Sequence, residues 1–110
     1  MSKLSKKKCI PCEGGMPPLT RQDAEEMLKE LDQWMLVDEA KMLAKSFRFK
    51  NFVEAMKFVN EVARIAESEG HHPDITISYN VVGLELMTHA IDGLSENDFI
   101  LASKVDQIKL

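Results

Sequence analysis

The residues of this chain best suited to chemistry lie in one stretch near its C-terminal end. All three histidines of the 110-residue sequence, His71, His72 and His89, fall between Glu67 and Asp98. Histidine is the side chain whose unperturbed pKa lies nearest neutrality, so a group of histidines favours proton transfer at physiological pH. The sequence offers no Gly-rich phosphate loop, and no serine or cysteine is placed beside them as a nucleophile.

Three interpretations of this group compete. A structural one is available for each residue alone, since a histidine after a helix interacts with the helix dipole and Asp98 can cap a helix. Three histidines and a carboxylate also resemble a zinc or iron site. His71 and His72 are adjacent, however, and adjacent residues of an extended chain point to opposite sides. We therefore predict acid–base catalysis without metal or cofactor, for which two groups with pKa values near 7 suffice.

The spacing of these residues also resembles a family signature. Intervals of three, five, nine and eight residues separate the parts of the motif, which are Glu67, His71-His72-Pro73, Tyr79, His89 and Asp98. The pattern is similar to that of the pterin-4a-carbinolamine dehydratases, also called 4a-hydroxytetrahydrobiopterin dehydratases. The resemblance runs over residues 19–108 and implies an α+β lyase of tetrahydrobiopterin recycling. Such enzymes dehydrate 4a-hydroxytetrahydropterin, formed by aromatic amino-acid hydroxylases, to quinonoid dihydropterin.

The resemblance further implies a role for each motif residue. His71 and His89 would be the two acid–base groups, and His72 would position the substrate. Glu67, one helical turn before His71, would orient that imidazole or bond the pterin ring. Asp98 would complete the catalytic set. The pterin would also be lined by the residues flanking the histidines, which are Gly70, Met87 and Thr88.

The spacing of apolar residues along the chain predicts the helices and strands that position these residues. A helix over 21–32, capped by Thr20, precedes a hairpin of two strands at 34–37 and 42–50. Asn51 caps a long helix that Gly70 ends, and a second hairpin and a helix capped by Ser95 follow. The order α-β-β-α-β-β-α favours an α+β fold, a four-stranded antiparallel sheet with three helices packed on one face. The long helix is predicted to carry an apolar stripe through Phe52, Met56, Val59, Ala63 and Ala66, widened by Val53 and Val62.

The second hairpin predicts how the histidines converge. A turn at 80–83 would place Tyr79 opposite Leu84 on the apolar face, where Tyr79, like Trp34, would belong to the core. The same register places Asp74 opposite His89, with His72 one diagonal step away. All three histidines would then lie at one rim of the sheet.

Cys9 and Cys12 lie in an N-terminal arm, 1–18, which is predicted to be flexible and to precede a single domain, 19–110. The spacing of the two cysteines suits zinc or a redox pair, but a zinc site needs four ligands, and Gly14-Gly15 and Pro17-Pro18 forbid a helix directly after the pair. Reducible thiols on the arm, a metal held between subunits, and a disulfide or redox role all remain open.

Composition excludes several function classes. The net charge of −4, with acidic residues spread through the chain, argues against nucleic acid as a direct partner. We expect no membrane span and no signal peptide, and hence a cytoplasmic protein with a small-molecule pterin substrate. Four short strands leave unpaired edges, which predicts a homo-oligomer, a dimer or tetramer. The alternative function implied by the resemblance is a non-enzymatic dimerisation or assembly cofactor of the same fold.

Overall fold

The computed structural model describes residues 4–9 and 17–109. Along these residues the α-helices and strands are α1 (Arg21–Leu28), β1 (Met35–Val37), β2 (Met42–Arg48), α2 (Phe52–Glu69), β3 (Asp74–Ser78), β4 (Val81–Leu86) and α3 (Glu96–Asp106). The strands form one antiparallel sheet in the order β1-β2-β4-β3. The predicted α+β class and element order are confirmed. Among the helices of the described residues, none is both long and apolar enough to cross a membrane.

The helices cover one face of the sheet, and strand alternation decides which side chains that face receives. Leu43 of β2 and Val82, Leu84 and Leu86 of β4 are buried, and they join the apolar side chains of α2 and α3 in one core. Glu85, between two of these positions, is exposed on the opposite face. This period of two is the expected pattern for a sheet with one buried face.

Helix α1 is shorter than predicted. Its cap is confirmed, since the Thr20 hydroxyl accepts a backbone N–H of the first turn at 3.1 Å, but the helix ends at Leu28. The backbone N–H of Asp32 and the indole Nε1 of Trp34 instead donate to the carboxylate of Asp106, at 3.3 and 3.0 Å. These bonds hold the chain after α1 against the end of α3, and Trp34 is buried, as predicted.

Helix α2 turns a different face to the core than its sequence predicts. The buried residues of the helix are Ala55, Phe58, Val62 and Ala66. Phe52, Val53 and Ala63 are exposed, so the predicted stripe is wrong at these positions, whereas Val62 and Ala66 are buried as predicted. The helix carries apolar residues on neighbouring stripes, and aromatic packing selects between them. The ring of Phe58 contacts those of Phe47 and Phe49, with centroids 4.6 and 4.9 Å apart.

The predicted register of the second hairpin is wrong by four residues. Ile75, rather than Tyr79, pairs with Leu84, and the turn is the two residues 79–80. Tyr79 has a φ of 51° and is 65% exposed, so it lies outside the core. The turn is held to the end of β2 by Asn80, whose backbone O accepts from Phe49 N and whose Nδ2 donates to Phe49 O, both at 2.8 Å.

Gly83, predicted in that turn, lies inside β4 opposite Thr76. A Cβ at this position would come 2.6 Å from Thr76 Oγ1, so the glycine permits close approach of the two strands. Because the register differs by an even number, the residues that remain paired in the two strands keep their predicted face.

Residues 4–9 of the predicted arm lie against α3. Leu4, in a 3-10 turn at Leu4–Lys6, is 3% exposed and joins the core. Cys12 lies outside the described residues, so the proposed roles of the cysteine pair remain predictions, as does the division into an arm and a domain.

Candidate active site

A pocket of about 640 Å³ lies at the C-terminal ends of α2 and β4. Its lining is contributed by Cys9, Glu67, Ser68, Glu69, Gly70, His71, His72, Met87, Thr88, His89, Ala90 and Asn97. Every residue that the sequence singles out as a candidate lines this pocket except Asp98, which is buried beneath it in contact with His71. The convergence of the three histidines is therefore observed, although by a different route from the predicted one.

His71 is directed inward by the end of α2. Gly70 adopts a left-handed conformation with φ of 68°, and the backbone N–H of His71 donates to Ala66 O at 3.2 Å. The His71 side chain is 13% exposed, and its Nε2 lies 2.6 Å from Asp98 Oδ1. Because a carboxylate only accepts, Nε2 is the donor in this pair, which leaves Nδ1 as the ring nitrogen free for a further proton.

Asp98 serves both the helix and the histidine. Its Oδ2 accepts the backbone N–H of Ser95 at 3.0 Å, which is the predicted capping box of α3. The same oxygen accepts the Thr88 hydroxyl at 2.7 Å, while Oδ1 faces His71. The carboxylate has no solvent exposure, so these three hydrogen bonds satisfy it in place of water. A cap at the start of α3 thus fixes the ring of a histidine at the end of α2.

Glu67 contacts a different histidine from the one predicted. Its Oε1 lies 2.8 Å from His72 Nε2, and both side chains are largely exposed. Because the left-handed turn at Gly70 directs His71 toward α3, the next imidazole is the one that faces the exposed end of α2. The expected Glu67–His71 contact is therefore wrong.

His89 lies beyond the strand on which the sequence places it. Strand β4 ends at Leu86, Asp74 pairs with Glu85, and His89 begins a short 3-10 helix, His89–Ile91. An isolated bridge of Thr88 to Gly93, with a 2.8 Å bond from Thr88 N to Gly93 O, closes this loop. His89 is exposed, and its imidazole has no hydrogen-bond partner among residues 4–9 and 17–109. It is therefore free to meet a ligand in the pocket.

Cys9, Ser68, Glu69, Ala90 and Asn97 are lining residues that the sequence reasoning missed. Four of them flank motif residues and could have been found from that adjacency. Nothing in the sequence connects Cys9 to the histidines, which lie more than sixty positions away.

Glu69 and Cys9 are joined by a hydrogen bond, with Cys9 N donating to Glu69 Oε1 at 2.8 Å. Burial raises the pKa of Glu69, but this bond and the nearby Lys104 ammonium outweigh burial and lower the pKa below its usual range. Burial, followed by the charge of Glu69, raises the pKa of Cys9 to about 12. At neutral pH this wall of the pocket therefore presents a carboxylate and a neutral thiol.

In the part of the chain that the structure describes, no three histidine, cysteine, aspartate or glutamate side chains lie where they could jointly hold a metal ion. His71 and His72 each face a separate carboxylate instead. Metal-free chemistry remains a prediction.

A family model described as pterin 4 alpha carbinolamine dehydratase matches residues 17–108. The chain belongs to this family. A protein of Halorhodospira halophila is 49% identical over 105 residues, which cover 96% of each chain. A protein of Rickettsia canadensis is 51% identical over 106 residues, covering 96% of this chain and 97% of its own. Both are provisionally named pterin-4-alpha-carbinolamine dehydratase.

Solved structures show the same fold. A transcriptional coactivator/pterin dehydratase from Brucella melitensis is 37% identical, with a TM-score of 0.77 over 81% of this chain and 95% of that one. A pterin dehydratase-like protein, identified as a RuBisCO assembly factor of the alpha-carboxysome, is 25% identical. Its TM-score is 0.59 over 68% of this chain and 87% of that one. The chain is thus similar both to proteins named as dehydratases and to proteins named for assembly or transcription.

Proposed function

We propose that this protein is a hydro-lyase that dehydrates 4a-hydroxytetrahydropterin to quinonoid dihydropterin by histidine acid–base catalysis. The observation that carries the proposal is the pocket itself, which is lined by all three histidines of the chain. One of them is held by a buried carboxylate and another has no hydrogen-bond partner among the described residues. Membership of the dehydratase family supports the same reaction.

The reaction needs two proton transfers. A proton delivered to the 4a-hydroxyl allows the C4a–O bond to break with loss of water, and removal of the proton from N5 forms the N5=C4a double bond. In the proposal, His71 Nδ1 accepts the N5 proton, because Asp98 at Nε2 stabilises the imidazolium that forms. His89 donates the proton to the departing hydroxyl.

His72 and Glu67 would position the substrate. They form a hydrogen-bonded pair at the mouth of the pocket, where polar pterin atoms could replace bonds to water. Gly70, Met87 and Thr88 would form further parts of the pterin site, and they line the same pocket. No cofactor enters the proposed reaction.

The decisive experiment is an assay of dehydration. Freshly generated 4a-hydroxytetrahydropterin is followed by the loss of its absorbance, with and without protein. We expect the protein to accelerate the decay, and a variant with both His71→Ala and His89→Ala to lose the acceleration. Exhaustive chelation should leave the rate unchanged. A decay that the intact protein does not accelerate would overturn the proposal, and activity lost on chelation and restored by zinc would overturn its metal-free mechanism.

A second candidate is a dimerisation or assembly cofactor without catalysis. Two structural neighbours named for transcription and for RuBisCO assembly favour it. The complete histidine set favours the enzyme, because a scaffold has no chemical need of it. A well-folded oligomer that gives no dehydration would favour the cofactor.

In the cell, we propose a cytoplasmic enzyme of tetrahydrobiopterin recycling that acts on a small pterin. Neither nucleic acid nor a membrane is required as a direct partner in this role.

A further inference from the structure

Cys9, at the end of the N-terminal segment 4–9, lines the pocket, although this segment lies outside the residues that the family model matches, 17–108. Three contacts seat this segment. Leu4 is buried in the core, Lys7 Nζ pairs with Glu96 Oε2 at 2.8 Å, and the backbone N–H of Cys9 donates to Glu69 Oε1 at 2.8 Å. The Cys9 thiol also lies 3.6 Å from Asn97 O.

These contacts differ in strength. The Lys7 and Glu96 side chains are about half exposed, so water competes for their ion pair. Leu4 is 3% exposed, and the Glu69 side chain, paired with Lys104 at 3.4 Å, is only 9% exposed. The buried leucine and the hydrogen bond to Glu69 therefore anchor the segment at its two ends.

We propose that residues 4–9 act as a strap that completes the pterin pocket and raises substrate affinity, with Leu4 and Glu69 as its anchors. The strap presents Cys9 beside Glu69 and Asn97, in the pocket that is also lined by the histidines following α2 and β4. A ligand in the pocket would contact Cys9, whereas the strap itself would take no part in the proton transfers. The inference rests on the proposed function for the identity of the ligand.

The alkylation rate of the Cys9 thiol indicates whether the strap is bound in place. Alkylation requires the thiolate, and burial together with Glu69 raises the pKa of Cys9 to about 12, so a seated Cys9 reacts slowly. In a Cys12→Ser background Cys9 is the sole thiol of the chain. Its modification by N-ethylmaleimide at pH 8, followed by mass spectrometry, then measures strap release directly.

The test compares Leu4→Ser with Lys6→Ser, which introduces the same side chain at an exposed position of the same 3-10 turn. We expect Leu4→Ser to accelerate alkylation at least about tenfold, because the released thiol regains an ordinary pKa. We expect Lys6→Ser to match the parent. Saturating 7,8-dihydropterin, an unreactive product-like ligand, should slow alkylation of Cys9 in the parent. It should bind about three- to tenfold more weakly to Leu4→Ser than to the parent. In the dehydration assay, Leu4→Ser should change kcat less than KM.

Glu69→Ala releases the other anchor and serves if Leu4→Ser does not fold. Its matched control is Glu69→Gln, which removes the same charge from beside Cys9 but keeps an oxygen that can accept from Cys9 N. Equal alkylation rates in an anchor variant and its control would overturn the strap. Dihydropterin that binds the parent without protecting Cys9 would overturn the strap alone and leave the proposed function standing. Failure of the parent to bind dihydropterin would overturn both.

Discussion

At the residue scale, Asp98 is where stability and chemistry meet, since one buried carboxylate caps α3 and holds His71. In Asp98→Asn the amide can still accept from Ser95, but its NH₂ group would face His71 Nε2 and favour the wrong tautomer. We expect kcat to fall on the order of 10²-fold or more, and the free energy of unfolding to fall by about 1–3 kcal/mol. Steady-state kinetics and thermal unfolding measure the two effects. Unchanged activity with a lowered melting temperature would reduce Asp98 to a helix cap.

The hydrogen bond from Thr88 to this carboxylate can be tested separately. The Thr88 hydroxyl donates to Asp98 Oδ2 at 2.7 Å and also bonds the Ser95 hydroxyl at 2.7 Å, so Thr88→Val removes both bonds while preserving shape. Thr88→Ser keeps the hydroxyl and should retain most of the kcat that Thr88→Val loses. Equal losses in the two variants would show that the methyl group, and not the hydrogen bond, matters.

The three histidines should divide the work. Removing His71 or His89 deletes a proton-transferring group, so each alanine variant should lower kcat on the order of 10²–10⁴-fold. His72, paired with Glu67 at the pocket mouth, should affect KM more than kcat. Kinetics of the three single variants make the comparison. A His72→Ala variant with the largest fall in kcat would contradict this division.

At the scale of elements, the end of α2 depends on a conformation that glycine adopts readily. Gly70 has a φ of 68°, and a Cβ there would meet no atom within 4 Å, so a substitution is penalised by backbone strain alone. We expect Gly70→Ala to reduce the free energy of unfolding by about 1 kcal/mol, measured by urea denaturation. Gly70→Asn should lose less, because asparagine tolerates the left-handed region better. An alanine variant as stable as the parent would contradict the strain.

At the scale of the whole molecule, one ion pair ties β2, the chain before β1 and the end of α3 together. Asp106 accepts from Lys45 Nζ at 2.9 Å and from Trp34 Nε1 at 3.0 Å, and the two charged side chains are only 11% and 12% exposed. Asp106→Ala would leave the indole N–H unpaired and the Lys45 ammonium without its counter-ion, with only its 2.6 Å bond to Asp32 O remaining. We expect a loss of about 3–5 kcal/mol in the free energy of unfolding, measured by denaturant unfolding.

The exposed pair of Lys29 and Glu26, at 2.7 Å, is the control for that ion pair. Its carboxylate lies in water, so Glu26→Ala should leave the unfolding midpoint nearly unchanged. Equal shifts in Asp106→Ala and Glu26→Ala would show that burial adds nothing to the Lys45–Asp106 interaction.

The molecule as a whole is expected to self-associate. Strands β1 and β3 lie at the edges of the sheet, and the exposed large apolar side chains include Phe52, Val53 and Ile77. Unpaired edges and apolar surface of this kind are normally covered. Sedimentation at micromolar concentration should show a dimer or tetramer, and a monomer there would refute the expectation.

Features that depend on near neighbours in the chain could be predicted from the sequence. The caps at Thr20, Asn51 and Ser95, the stop at Gly70 and the order of elements each follow from a few adjacent side chains or from one periodicity. The candidate site could also be predicted as a set, because its motif is a pattern of residue types at given intervals.

Only the tertiary structure decided how those residues meet. A register that shifts by four leaves the residues that remain paired on the same face, so alternation cannot distinguish the predicted hairpin from the observed one. The bonds from Asn80 to Phe49 that set the register link distant parts of the chain. The pairing of His71 with Asp98, 27 residues apart, and the seating of Cys9 on Glu69, 60 residues away, arise in the same way. Such contacts depend on how whole elements pack, and no local pattern encodes them.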